Sequence, residues 1–182
     1  MTFLRFFLVT LFLILQGRSP ALMGVFAWGN HMIVQHYNAG QLLPEEIRTF
    51  LLESVQTYPS ELGPVDLENW PIKLAKYSDC FCVRSSTTKM IAALFAYLND
   101  TTFHQGFIPL ICTLPYNEKR TGYLLHLSCL DVALKRGIES IGLEVLKTNT
   151  HAIAFYKRAG YQIVEDREDR NRWLMKLSIT EG

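Results

Sequence analysis

Leu146-Lys147-Thr148-Asn149-Thr150-His151-Ala152-Ile153-Ala154-Phe155-Tyr156-Lys157-Arg158-Ala159-Gly160-Tyr161 reads as the end of a strand, a short loop and an amphipathic helix. The helix stops at Gly160, where a left-handed terminal residue carries no Cβ penalty. Phe155 and Tyr156 taken alone would be ordinary core aromatics. The ordered set Asn149, Ala152, Tyr156, Gly160, Tyr161, placed directly behind an apolar strand, is far more specific.

Working upstream, Ile138 to Leu146 is that strand, with Ile141, Leu143 and Val145 alternating. Thr121 to Arg136 predicts a long helix with Leu124, Leu127, Leu130 and Leu134 on one stripe and Ala133 beside it. Lys135 and Arg136 fall in its last turn and Gly137 ends it. Phe107 to Leu114 is a further strand, closing at Pro115. A strand, helix, strand unit of this kind predicts parallel pairing through a right-handed crossover. Lys89 to Leu98 reads as a strand apolar on both faces, which means burial on both sides or a binding surface on one, with a helix as the competing reading. Cys80 to Ser85 and Ile33 to Tyr37 are shorter strands.

Leu43-Pro44-Glu45-Glu46 opens a helix, with proline and acids where a helix start favours them. Its stripe is Ile47, Phe50, Leu51 and Val55. Thr57 to Pro64 reads as a loop, and Asp66 to Lys76 as a weaker helix interrupted by Pro71. Downstream, Tyr161 to Val164 and Trp173 to Ile179 form a closing hairpin, linked by the mixed-charge run Glu165 to Arg172.

The chain of 182 residues fits one domain with an extension. A hydrophobic content of 49% against 19% charged residues excludes disorder, and a net charge of +1 gives no global field toward nucleic acid. Cys80, Cys82, Cys112 and Cys129 are read as reduced, mostly buried thiols. Cys80 and Cys82 share a strand face too far apart for a bridge, and no histidine has zinc-site spacing, so no metal is expected.

Residues 1–31 differ from the rest. Arg5 precedes the apolar run Phe6 to Leu15, followed by Gln16, Gly17, Arg18, Ser19 and Pro20. The run is shorter than the ~20 apolar residues a bilayer span needs. Three readings stand: an anchor giving membrane association through residues 6–15, a secretory leader, or translated upstream sequence with the start at Met23 or Met32. The domain is counted as residues 32–182.

The set Asn149, Ala152, Tyr156, Gly160, Tyr161 resembles the last core motif of the GNAT superfamily, the acyl-CoA-dependent N-acetyltransferases. The resemblance covers residues 32 to 180, with its specific motifs between 107 and 161. It implies the GNAT fold, mixed α/β, with a mostly antiparallel central sheet splayed in the middle and helices on both faces. It implies acetyl-CoA as co-substrate, a cytoplasmic setting for that donor, and a small primary amine, of amino sugar or amino acid type, as acceptor; a non-catalytic acyl-CoA-binding relative, or a membrane-tethered or exported protein reusing the fold, stands as the alternative. A homodimer is a further partner expectation.

The pyrophosphate of such a donor needs N–H groups at a helix N-terminus, and its pantetheine amides can pair with an open strand edge. Ile111, Cys112 and Thr113 would supply the edge. Asn117, Lys119, Arg120, Thr121, Gly122 and Tyr123 would form the phosphate loop and helix start. The superfamily pattern there is Arg/Gln-x-x-Gly-x-Gly/Ala, and this chain departs from it. One register sets Asn117 at the Arg/Gln, Arg120 at the first glycine and Gly122 at the last position. The other sets Lys119 at the Arg/Gln and Gly122 at the first glycine. Asn149, with Ala152, matches the pantetheine-binding position, and Tyr156 the donor of a proton to the leaving thiolate. An amine with a pKa near 10.4 must lose a proton to attack, and a thiol near 8.5 leaves more readily with a proton donor. For the base, Glu144, Asp100, Glu118, His104 and ordered water all stay open.

Overall fold

The computed structural model describes residues 25–28, 32–100, 102–115 and 120–179. In chain order these form β1 (Val25–Trp28), β2 (Met32–Tyr37), α1 (Pro44–Thr57), α2 (Pro59–Leu62), α3 (Trp70–Tyr77), β3 (Asp79–Arg84), β4 (Met90–Asp100) and β5 (Gln105–Thr113). Then follow α4 (Thr121–Lys135), β6 (Ser140–Leu146), α5 (Thr150–Arg158), β7 (Gln162–Arg167) and β8 (Arg172–Ser178). One sheet runs in the order β1-β2-β3-β4-β5-β6-β8-β7. Every pair is antiparallel except β5 with β6, the pair joined by the α4 crossover. The mixed, mostly antiparallel sheet expected from the sequence is what forms. β1 lies upstream of Met32, from which the sequence reading counts the domain. The run Phe6 to Leu15 lies outside the described residues, and none of the described helices is long and apolar enough to cross a membrane.

Two cores sandwich the sheet. On one face Leu125, Cys129, Leu130 and Ala133 of α4, with Tyr156 and Ala159, pack on Phe81, Leu94, Ile141, Leu143 and Met175. On the other, Ile47, Phe50 and Leu51 of α1 and Leu74 and Ala75 of α3 pack on Cys80, Cys82, Phe95 and Leu110. Burying an aliphatic or aromatic side chain in this way contributes about 1.5–3 kcal/mol each. β4 is buried on both faces because it lies between both helical layers. All four cysteines are buried and free.

Several local expectations shift. In α1 the inward position after Leu51 is Ser54, whose hydroxyl donates to the Phe50 carbonyl at 2.8 Å; Val55 is only half-buried. Thr57 to Pro64 contains the one-turn helix α2. Pro71 does not interrupt α3 but sits in its first turn, where no N–H is required. Asp66 forms the preceding turn by accepting the Glu68 and Asn69 N–H groups at 3.0 and 2.9 Å. The stripe of α4 is rotated: Leu125, Cys129 and Ala133 face the core, while Leu124 and Leu134 are half-buried. That helix is covered on more than one side, so His126 and Asp131 are buried with it. The closing strands reach further than expected, leaving only residues 168–171 as the turn.

The feature that positions the site is a bulge in β5. Leu110 pairs with Phe95 and Phe107 with Tyr97, so Ile108 and Pro109 together face one β4 residue. Side-chain parity flips there. Ile108 points into the α4 core, whereas Leu110, Cys112 and Leu114 point into the α1–α3 core. Parallel pairing of β5 with β6 runs from Gln105↔Ser140 to Ile108↔Leu143 and ends at the bulge. Pro109 has no N–H with which to continue it. Beyond that point β5 stays with β4 and β6 with β8, so the sheet parts into two wings.

Candidate active site

Backbone alternation decides what the parted edge of β5 offers. Leu114 N donates to Ile91 O at 2.9 Å, which makes the 114–91 pair, and hence the 112–93 and 110–95 pairs, the hydrogen-bonded kind. The N–H and C=O groups of Ile111 and Thr113 therefore face away from β4, into the gap. Cys112, between them, has its backbone turned to β4 and its thiol buried in the α1–α3 core, where burial pushes its pKa up. Tyr58, at the α1–α2 junction, donates its hydroxyl to the Thr113 carbonyl at 2.9 Å. The open edge thus retains the Ile111 N–H and C=O and the Thr113 N–H.

A cavity of about 420 Å³ fills the gap. Ile111 lines it from β5, Glu144 to Leu146 from β6, and Asn149, Ala152 and Tyr156 from α5. These α5 positions share one helical face. Asn149 caps the helix, its Oδ1 accepting from Ala152 N at 3.0 Å, which leaves its Nδ2 hydrogens for another acceptor. Tyr156 is 7% exposed, and among the described residues its hydroxyl has no hydrogen-bond partner. Burial pushes its pKa up, so the phenol stays protonated at neutral pH. Its ring is set edge-on by Phe155 at 5.3 Å and by Tyr161 at 5.5 Å. Tyr161 in turn bonds His126 Nε2 through its hydroxyl at 3.0 Å.

The phosphate-loop residues fall as follows. Asn117 and Lys119 lie outside the described residues. Arg120 precedes α4 with φ +83 and ψ 0, a left-handed backbone normally left to glycine. Thr121 is buried and Tyr123 half-buried, with burial raising the Tyr123 pKa. Gly122 faces β5: a Cβ there would lie 3.7 Å from Thr113 Cγ2 and 3.9 Å from Ile111 Cδ1. The start of α4 and the open edge of β5 are thus adjacent.

The opposite wall was not legible in the sequence. Glu61, Leu62, Val65, Asp66, Trp70 and Lys73, from α2, the following loop and α3, close the cavity, and Arg172 joins them from β8. No spacing in residues 38–79 marks these positions; only the fold carries them to the cavity. Of the base candidates, Glu144 lines the cavity, with Arg170 Nη1 3.6 Å from its carboxylate. Asp100 Oδ1 is engaged by the Thr102 and Phe103 N–H groups, and His104 Nδ1 lies 2.9 Å from Gly137 O. Glu118 lies outside the described residues.

The acetyltransferase (GNAT) family matches residues 42–161, and the chain belongs to that family. It is an acyltransferase using acetyl-CoA. Among solved structures, it is similar to the ribosomal-protein-S18-alanine N-acetyltransferase from Escherichia coli, with TM-score 0.63 and 18% identity, covering 82% of this chain and 96% of that one. It is likewise similar to PaiA N-acetyltransferase from Thermoplasma acidophilum in complex with coenzyme A, with TM-score 0.60 and 17% identity over 80% and 98% of the two chains. Ard1 from Thermoplasma volcanium gives TM-score 0.59 and 17% identity over 81% and 99%. At these identities the likeness speaks for the fold. No curated protein matches the chain by sequence.

Proposed function

We propose that this chain transfers the acetyl group of acetyl-CoA to a primary amine of a small molecule, of amino sugar or amino acid type, in the cytoplasm where that donor is made. The observation that carries this reading is the cavity at the split of β5 from β6, which brings Ile111, Glu144, Asn149 and Tyr156 to one space. The donor, when bound, supplies a thioester whose thiol is a good leaving group. The Ile111 N–H and C=O and the Asn149 amide are suited to its pantetheine arm, and the N-terminus of α4 to its phosphates. The Thr113 N–H is suited to polarising the thioester carbonyl. Glu144 takes a proton from the incoming ammonium, directly or through water, so that the amine can attack. Tyr156, kept neutral by burial, donates its proton to the departing sulfur.

The test is acetyl-CoA-dependent thiol release across a panel of amines. Tyr156→Phe is expected to lower kcat by about 10²–10⁴-fold, the usual range for a lost general acid, with acetyl-CoA affinity unchanged. Full activity of that variant, or bound acetyl-CoA with no amine turned over, would contradict the proposal.

A further inference from the structure

A second cavity, of about 440 Å³, adjoins the first and shares Phe107 and Glu144 with it. It lies over the face of β6 and β8 that carries Gly142, Glu144, Leu174 and Lys176, opposite the face that Leu143 and Met175 bury beneath α4 and α5. Its floor is Gly142, which pairs with Phe107 on β5 and Lys176 on β8. No positive φ calls for glycine there. A Cβ would meet Phe107 Cδ2 at 3.4 Å and the Met175 carbonyl at 3.8 Å, which is ordinary contact. Glycine weakens a strand interior, so what this one provides is room on the cavity floor.

On the β6–β8 floor one acid and one base stand in line; Asp100 lines the β4 side of the cavity, its Oδ1 taken by the Thr102 and Phe103 N–H groups. Glu144 stands at the junction with the first cavity. Gly142 and its partner Lys176 lie two residues along, ~6.6 Å by strand rise. Among the described residues Lys176 has no hydrogen-bond or ion-pair partner. Arg167 lines the same cavity with its Nε buried and, among the described residues, unpartnered, while its Nη2 meets Glu165 at 3.1 Å. A carboxylate thus faces the reaction site, and one unpaired ammonium, that of Lys176, stands about one dipeptide length away; Arg167 lies level with Leu146, on the other side of Glu144.

Resting on the amine-acetylating reading above, we infer that the second cavity is the acceptor site and selects a small amino-carboxylate of dipeptide length. Its amine sits at Glu144, its backbone passes over Gly142, and its carboxylate meets Lys176.

The test compares glycylglycine with glycylglycinamide, by calorimetric binding to the full chain in the presence of CoA and by acetyl transfer. The free carboxylate is expected to bind about tenfold tighter, as a charge-assisted contact implies. Lys176→Met should collapse that ratio toward one. Gly142→Leu should abolish dipeptide binding while leaving acetyl-CoA affinity in place. Equal binding of the two ligands, or a ratio untouched by Lys176→Met, overturns the inference even if other amines are acetylated. A Lys176-dependent preference in binding with no transfer to any amine would uphold the acceptor site and overturn the reaction.

Discussion

Acid should weaken this protein through one buried histidine. His126 is fully buried in α4, and desolvation lowers its pKa to about 4 from an ordinary 6.5. Its Nε2 is 3.0 Å from the Tyr161 hydroxyl, and among the described residues its Nδ1 has no partner. The folded state therefore holds the ring neutral, while the unfolded chain takes up a proton as pH falls below 6.5. Stability is complete above that pH and is lost progressively down to about 4. Between pH 7.5 and 5 the linkage relation gives a loss of about 2 kcal/mol from this residue alone. Burial alone would raise the Asp79 carboxyl, but hydrogen bonds from His36 and Arg136 overcome it and hold it below the usual range, so its own loss begins at lower pH. Urea denaturation at the two pH values measures the loss. The double variant His126→Phe/Tyr161→Phe replaces both partners by apolar rings and should flatten the pH dependence by about 2 kcal/mol relative to wild type. The same slope in both proteins would refute the reasoning. The residue matters beyond stability, because Tyr161 sets the ring of Tyr156.

Two further outcomes follow from the geometry. Arg120→Gly relieves a left-handed non-glycine backbone worth ~1–2 kcal/mol and adds unfolded-state freedom of ~0.5–1 kcal/mol, so thermal unfolding should shift from unchanged to slightly higher, and a marked drop would mean that the arginine side chain holds the loop. Asp79→Ala strips the buried carboxylate that Arg136 grips at 2.7 and 2.8 Å and His36 at 2.9 Å, which should lower stability by about 3 kcal/mol in denaturant titration, and a loss under 1 kcal/mol would show the network to be dispensable.

The fold was legible wherever period and punctuation agreed. Gly137 and Gly160 do end helices, with φ +72 and +95, and the strand, α4, strand unit is parallel as crossover geometry requires. What hid was set by distant packing. The stripe of α4 turned because cover on further sides buried polar His126 and Asp131, which an amphipathic reading assigns to solvent. Pro109 stood inside an apolar run with nothing to mark it as the start of the split, since the bulge exists only relative to β4. Tyr156 and Asn149 could be found because local sequence fixes their helical face. Trp70, Asp66 and Glu61 could not, since the wall they form depends on how α2 and α3 cross the sheet.

The central claim is that the edge of β5 beyond Pro109 receives the pantetheine of the donor. Amide hydrogen exchange at Ile111 and Thr113, followed residue by residue with and without saturating CoA, addresses it directly. The account predicts that both amides, turned into the gap and unpaired with β6, exchange markedly more slowly once CoA is bound, while Cys112, already bonded to β4, changes little. Unaltered exchange at Ile111 and Thr113 in a protein demonstrably carrying CoA would place the ligand elsewhere and contradict it.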